Sequence, residues 1–166
     1  MTTHLSKSLL NNYRQCPRRL WLEMQDRTAR KLGQTPLAQA TYSADAQKRF
    51  LDGHVIGRIA KARWPQGVDI EALSWVDDKA GTKRRDLSYA QHLTQMWLMQ
   101  GLPLFEATFS HNKLLVMADV MRPAKRGKET VWQMIEVKSS TAPKDYHITD
   151  LATQVWVAQQ CGVPVV

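Results

Sequence analysis

The sequence predicts an α+β protein in which a central mixed sheet is flanked by helices, and three observations carry that prediction. Residues 1–101 are dominated by helical spacing of apolar residues and by helix start and stop signals. Residues 104–139 then contain three runs with a period of two, which is typical of an antiparallel meander. A final helical segment leads into a short apolar run, so we expect a crossover that adds one more strand to the sheet.

Composition favours one soluble domain with a polyanionic partner. The chain has 166 residues, a size that suits one hydrophobic core, and we expect a single domain over residues 1–166. Lys and Arg number 23 against 15 Asp and Glu, and the resulting net charge of +8 favours nucleic acid as the partner. The longest apolar run, 114–118, is far shorter than the roughly 20 residues that span a bilayer, so no membrane association is expected.

The cysteines and the termini bear on the compartment. Cys16 and Cys161 are the two cysteines, so a disulfide framework is excluded and a reducing cytoplasm is the expected location. The N-terminus lacks the apolar stretch of a secretory signal, and Pro17 interrupts the amphipathic helix that a transit peptide needs. The apolar run 163–166 has the pattern of half a strand, so we expect that the chain is truncated at its C-terminus.

The first 43 residues are expected to form a helical extension. Ser6 has the character of an N-cap for a first helix, and Pro17 suits the first turn of a second helix over 18–23. Residues 26–43 show no firm period and are expected to form an irregular connection.

The middle of the chain predicts two further helices. The first covers 44–63 and carries an apolar stripe, formed by Leu51, Val55, Ile59 and Ala62. An early strand at 68–75 and a polar loop at 77–85 should follow. Asp86 is the expected N-cap of the second helix, which ends at Gly101.

The meander and its continuation are expected after residue 103. The three strands are predicted at 104–110, 113–121 and 131–139. A tight turn at His111–Asn112 joins the first two strands, and a basic loop at 122–129 joins the second and third. A helix capped by Thr149 or Asp150 then runs to Cys161.

Two carboxylates and a lysine lie within the apolar strands. Asp119 occupies a run that is apolar on both faces, and Glu136 and Lys138 share one face of the neighbouring strand. Buried carboxylates are costly unless they are paired, protonated or bound to a metal. The pattern therefore predicts either a divalent-cation site or a buried structural salt bridge.

At these residues the sequence resembles the PD-(D/E)XK nuclease superfamily, in particular its RecB-like and CRISPR-adaptation exonuclease branch. Asp119 followed by Glu136-Val137-Lys138 resembles the D-(x)n-(D/E)-x-K signature. Four further segments are similar to motifs of that branch and stand in the same order, namely Leu5–Leu22, Gly53–Gly57, Phe105–Ala107 and Asp150–Gln154.

The resemblance implies a restriction-endonuclease-like core and a metal-dependent site. Asp119, Glu136, the Val137 carbonyl and His54 would bind Mg²⁺ or Mn²⁺, with Asp119, Glu136 and Lys138 as the catalytic residues. Lys138 would orient or deprotonate the attacking water and stabilise the transition state. Glu106 would support the site or bind a second metal, although a surface-facing glutamate is an equally open interpretation.

The resemblance also implies contacts with DNA. Gln154 would contact the DNA backbone or brace the site, and the tyrosine that often follows it by four residues is Ala158 here. The other expected DNA-binding residues are Tyr146 and Lys144, placed in a loop before the last helix, and Arg18, Arg19, Lys125, Arg126 and Lys128.

Cys16 stands where some relatives hold the first ligand of an iron–sulfur cluster. A cluster needs about four thiolates and this sequence has two, so no cluster is expected in this chain. A packing role is the alternative for Cys16, and Cys161 is expected to be a small buried residue.

The function that follows is a metal-dependent DNA nuclease, with exonuclease action favoured, in DNA repair, recombination or defence. The rival hypothesis is a non-catalytic nucleic-acid-binding or assembly module with a vestigial site. The sequence identifies no protein partner.

Overall fold

The computed structural model describes residues 4–36, 44–77 and 81–166 of the chain, which form an α+β fold with a mixed sheet flanked by helices. The helices are α1 (Lys7–Gln15), α2 (Pro17–Lys31), α3 (Ala44–Ala62), α4 (Ile70–Leu73), α5 (Leu87–Leu98) and α6 (Asp145–Gln160). The strands are β1 (Leu5–Ser6), β2 (Val68–Asp69), β3 (Trp75–Asp77), β4 (Lys83–Arg85), β5 (Leu104–His111), β6 (Leu114–Arg126) and β7 (Glu129–Ile135). None of the described helices is long and apolar enough to cross a membrane.

The antiparallel meander β5–β6–β7 is the centre of the sheet, as predicted, but its first turn lies at residues 112–113 and not at the predicted 111–112. Asn112 and Lys113 both have positive φ, 47° and 64°, so they form the two-residue turn whose twist matches a β-hairpin. That turn fixes the register, because His111 then pairs with Leu114 and the ladder runs on to Leu104 and Met121.

Shorter pairings complete the sheet. β1 lies parallel to the start of β6, and β2 lies parallel to the start of β5. After α6 the chain returns to β7, where Trp132 N donates to Pro164 O at 2.8 Å and Val166 N donates to Trp132 O at 2.9 Å. The expected crossover therefore ends in a parallel bridge beside β7.

One edge of β6 has a gap that positions the site. β1 pairs with Leu114 and Leu115, whereas β7 pairs with β6 from Val120 onward. Among the described strands, residues 116–119 of β6 have no partner on that side.

The core lies between the sheet and the helices α5 and α6. Its fully buried members include Leu104, Phe109, Val116, Met121 and Val157, which come from β5, β6 and α6. Ser6 and Asp86 cap α1 and α5 as predicted, with Ser6 Oγ accepting from Leu9 N at 3.4 Å.

The predicted basic loop at 122–129 is wrong, because β6 continues to Arg126 and β7 begins at Glu129. Cross-strand polar pairs support this extension of the ribbon. Arg122 donates to Gln133 at 2.7 Å, and Lys125 donates to Thr130 at 2.8 Å. Only Gly127 and Lys128 remain as the turn, so polar residues here form a strand instead of a loop.

Three other boundaries differ from the predictions. α2 extends to Lys31, so the irregular connection predicted from residue 26 is wrong over 26–31, and its residues 37–43 lie outside the described ranges. The strand predicted at 68–75 is interrupted by α4, since Asp69 accepts from Ala72 N at 3.2 Å and starts a helical turn. The polar loop contains β4, which pairs with β3.

The apolar stripe of α3 does not face the core. Leu51, Val55 and Ile59 are 66%, 43% and 58% exposed, and Ala62 is also exposed. The opposite side of the helix, with its glycines, faces the sheet. Helical periodicity identifies a stripe but not its direction, because direction depends on which neighbour the rest of the chain supplies.

Candidate active site

The site begins where β7 separates from β6. The last backbone pair of that ladder joins Val120 to Ile135. Beyond it the Val137 amide donates to Asp119 Oδ2 at 2.6 Å, so a carboxylate replaces the backbone carbonyl as the acceptor. This exchange ends β7 at Ile135, short of the predicted residue 139, and it places Asp119 against the Glu136–Lys138 segment.

Glu136 is held by three N–H donors. Lys138 Nζ and Lys7 Nζ lie 2.5 Å and 2.8 Å from its Oε1, and Gln154 Nε2 donates to its Oε2 at 2.5 Å. The Glu136 side chain is 5% exposed, whereas that of Lys138 is 33% exposed. Both carboxylate oxygens are therefore occupied inside the protein.

These contacts favour the charged forms of both groups. Burial opposes ionisation of Glu136, but the hydrogen bonds from Lys138 and Lys7 outweigh it and lower its pKa. Burial likewise opposes the charge on Lys138, but the adjacent Glu136 raises the pKa of the ammonium. Glu136 and Lys138 line a cavity of about 340 Å³ with the 140–143 loop and Ile148 of α6.

Asp119 faces a different cavity, of about 110 Å³, between α3 and the sheet. Gly53, Gly57, Glu106 and Val137 also line it. Burial and the nearby Glu136 raise the pKa of Asp119, although the Val137 amide acts in the opposite direction. A Cβ atom added at either glycine meets nothing within 4 Å. Both glycines therefore border open space.

Glu106 lies opposite Asp119 in the β5–β6 register and has φ of 55°, a conformation that non-glycine residues rarely adopt. Its carbonyl accepts from Thr108 Oγ1 at 3.0 Å, and Arg85 in turn donates to Thr108 Oγ1 at 3.3 Å. Burial, followed by the charges of Asp119 and Glu71, raises the pKa of Glu106 to about 7. Glu106 is half-buried and lines the cavity that Asp119 also lines.

His54 is exposed on α3 and does not line the cavity that contains Asp119. It lines a neighbouring cavity of about 400 Å³, together with Glu106 and Glu71. Glu106 borders both cavities, as do Lys61 and the two glycines.

The donor set suits a hard divalent cation in part. Asp119 and Glu106 supply carboxylate oxygens beside a cavity that the two glycines keep open, and such oxygens are the ligands that Mg²⁺ and Mn²⁺ prefer. Within the described ranges, however, no three His, Cys, Asp or Glu side chains are grouped closely enough to hold a metal ion. The oxygens of Glu136, which was expected to be a ligand, instead contact the amine groups of Lys7 and Lys138 and the amide group of Gln154.

The expected DNA-binding residues are dispersed. Gln154 is fully buried and contacts Glu136, which is the bracing position. Tyr146 is 53% exposed. The loop predicted for it and the helix cap predicted at Thr149 or Asp150 are both wrong, since α6 begins at Asp145 and Lys144 is its N-cap. Arg18 and Arg19 are exposed on α2.

The cysteines are separate and free. Cys16 is exposed between α1 and α2, so the packing role considered for it is wrong. Cys161 is half-buried at the end of α6, where its Sγ donates to Ser110 O at 3.5 Å.

Sequence reasoning missed a polar contact between α1 and α6. Lys7 reaches Glu136, and Asn11, one turn later, donates to Asp150 Oδ1 at 2.8 Å. Asp150 and Gln154 are likewise one turn apart on α6, and both are buried. The four-residue spacing places the polar residues of each helix on one face, but it does not identify the partner of that face.

Comparisons with protein-family models, with curated proteins and with solved structures found no match for this chain. The resemblance to RecB-like nucleases therefore rests on the motifs themselves.

Proposed function

We propose that this chain is a metal-dependent DNA nuclease that hydrolyses phosphodiester bonds and leaves 5′-phosphates, with exonuclease action favoured. The observation that carries the proposal is the arrangement at the end of β7. Asp119 accepts from the Val137 amide, and Glu136 and Lys138 are paired immediately beside it.

The proposed roles follow from charge and position. Asp119, Glu106 and the Val137 carbonyl, with Glu136, would hold Mg²⁺ or Mn²⁺, which when bound supplies Lewis acidity toward the phosphate and lowers the pKa of the attacking water. The raised pKa of Lys138 keeps its ammonium charged, so in this proposal it orients water and stabilises the negative charge of the transition state rather than acting as a base.

The proposal extends to the fold family and the partner. A restriction-endonuclease-like core is consistent with the meander and the parallel return of the chain beside β7. The net charge of +8 supports DNA as the partner. A cytoplasmic location is part of the same proposal, because the sequence has two cysteines and DNA is the substrate.

A second candidate is a nucleic-acid-binding or assembly module whose site does not turn over. The observation that favours it is that Lys7, Lys138 and Gln154 all bind Glu136, as in a structural ion-pair cluster. The two candidates differ in whether DNA is cut.

One experiment separates them. Wild-type protein and Asp119→Asn are incubated with labelled single- and double-stranded DNA in Mg²⁺, in Mn²⁺ and in EDTA, with the exposed Asp77→Asn as the matched control. The nuclease proposal expects cleavage by the wild type and by Asp77→Asn that EDTA abolishes, and no cleavage by Asp119→Asn. DNA binding without metal-dependent cleavage favours the binding module.

A further inference from the structure

The Lys7–Glu136 ion pair links the N-terminal helix to the candidate site. Glu136 carries two oxygens, and three N–H donors occupy them: Lys138 and Lys7 on Oε1, and Gln154 on Oε2. A cation that uses Glu136 as a ligand needs one of these oxygens. A cation at Oε1 would have to displace one of the two ammonium groups, and a cation at Oε2 would still be repelled by both charges.

The same contacts hold the Glu136 side chain on the α6 side of residues 136–138, away from the cavity that Asp119 lines. Glu136 and Lys138 line the cavity beside α6, whereas Asp119 and Glu106 line the cavity beside α3. This division explains why no three acidic or histidine side chains of the described residues are grouped for a metal.

Lys7 is the donor that differs from the other two. Gln154 is neutral and fully buried on α6, and Lys138 belongs to the same short segment as Glu136. Lys7 comes from the opposite end of the chain, on a segment anchored to the sheet by Leu5 N, which donates to Lys113 O at 2.7 Å. Its ammonium is a mobile charge on a flexible stem and repels a divalent cation at the same oxygen.

We infer that Lys7 is a positioning residue that holds Glu136 away from Asp119 and competes with the divalent cation for the Glu136 carboxylate. The inference rests on the proposed function, since it concerns the metal site proposed above. Removal of the Lys7 charge frees Oε1 from one of its two ammonium partners and allows Glu136 to join Asp119 and Glu106.

The test is Mn²⁺ binding by isothermal titration calorimetry in the absence of DNA, so that cleavage plays no part. Lys7→Met removes the charge and the donor while keeping the length of the side chain, and Lys7→Arg keeps the charge. The exposed Lys83→Met, on β4, is the matched control for the loss of one positive charge. We expect Lys7→Met to bind Mn²⁺ about tenfold more tightly than the wild type, within the usual range of coupling between two competing ligands, and the other two variants to match the wild type.

Thermal unfolding provides a second readout. In EDTA, Lys7→Met should unfold at a lower temperature because it lacks the ion pair. At one fixed Mn²⁺ concentration its stabilisation by metal should exceed that of the wild type, since tighter binding gives a larger shift.

Equal or weaker Mn²⁺ affinity of Lys7→Met would overturn the inference while leaving the proposed metal site intact. Absence of Mn²⁺ binding to both the wild type and Lys7→Met would overturn the metal site and the inference together. Equal tightening by Lys83→Met would also overturn the inference, because net charge rather than position would then explain the effect.

Discussion

The sheet and α3 are the two walls of the candidate site, and they differ in how they are packed. On the sheet, Phe109 is 1% exposed, and a Cβ added at Gly67, just before β2, would lie 2.5 Å from Cε2 of Phe105 on β5. On α3, Ile59 is 58% exposed, and a Cβ added at Gly57 would meet nothing within 4 Å. One wall is close-packed and the other borders open space.

This difference indicates that reactive side chains are held more precisely on the sheet than on α3. Asp119 and Lys138 belong to the sheet and the segment that continues it, where neighbouring side chains fix their positions. His54 belongs to α3, whose apolar stripe is exposed and whose inner face lines cavities. The carboxylates and lysine should therefore matter more to the proposed reaction than the histidine does.

The largest expected effect is on catalysis. Lys138→Ala should slow DNA cleavage by about 10²–10⁴-fold, the usual contribution of a positioned acid–base group, while Mn²⁺ binding persists. Asp119→Ala should lose both cleavage and metal binding, because it removes a ligand. His54→Ala should lose less activity than either. Single-turnover cleavage rates and Mn²⁺ titrations measure these effects, and a loss in His54→Ala as large as that in Asp119→Ala contradicts the comparison of the two walls.

The next effect is on stability. Phe109→Ala should lower the free energy of unfolding by about 3–5 kcal/mol, because it leaves a cavity in the core. Ile59→Ala should change it by less than about 0.5 kcal/mol, since the side chain is exposed and alanine favours a helix. Urea unfolding followed by circular dichroism measures both. A cost above 2 kcal/mol for Ile59→Ala would mean that something covers the α3 stripe in solution.

Alanine substitutions at Gly67 and Gly57 should have smaller effects on the free energy of unfolding, and the two effects should be opposite in sign. Gly67→Ala should destabilise the protein by about 1–3 kcal/mol, because its new methyl group meets the Phe105 ring. Gly57→Ala should stabilise it by about 0.5–1 kcal/mol, because alanine restricts the unfolded chain and its methyl group fits in open space. The same urea measurements apply, and destabilisation by Gly57→Ala would show that α3 lies closer to the sheet.

The remaining effect is a pH dependence at Glu106, a residue of β5 whose side chain lines the cavities beside α3. Its pKa rises from the ordinary 4.5 to about 7 in the folded protein, so between those values the folded state keeps a proton that the unfolded state has lost. Stability from this group is fully present below pH 4.5 and is lost as the pH rises through about 7. Glu106→Gln should remove that component.

The measurement is the free energy of unfolding of the wild type minus that of Glu106→Gln, in EDTA, from pH 4 to 8. The difference should fall with increasing pH. A flat difference would indicate that water enters freely between α3 and the sheet, so that Glu106 titrates near its ordinary pKa.

Much of the candidate site could be predicted from the sequence. There is a physical reason why the rest of it could not be predicted. The apolar surroundings of Asp119 and the spacing of Glu136 and Lys138 identify the carboxylates and the lysine, since alternation along strands places them near one another. Lys7 gives no such signal, because a lysine in the first turn of a helix is ordinary. Its contact with Glu136 joins residues 129 positions apart.

The sequence by itself determined the elements that depend on neighbouring residues. The caps at Ser6 and Asp86, the tight turn before Leu114 and the meander follow from interactions within a few residues, so local chemistry is sufficient to predict them. Only the tertiary structure decided the outward direction of the α3 stripe and the end of β7 at Ile135. Those features depend on which distant residues cover a helix face or accept a hydrogen bond from a backbone amide. Such contacts form only when the chain folds.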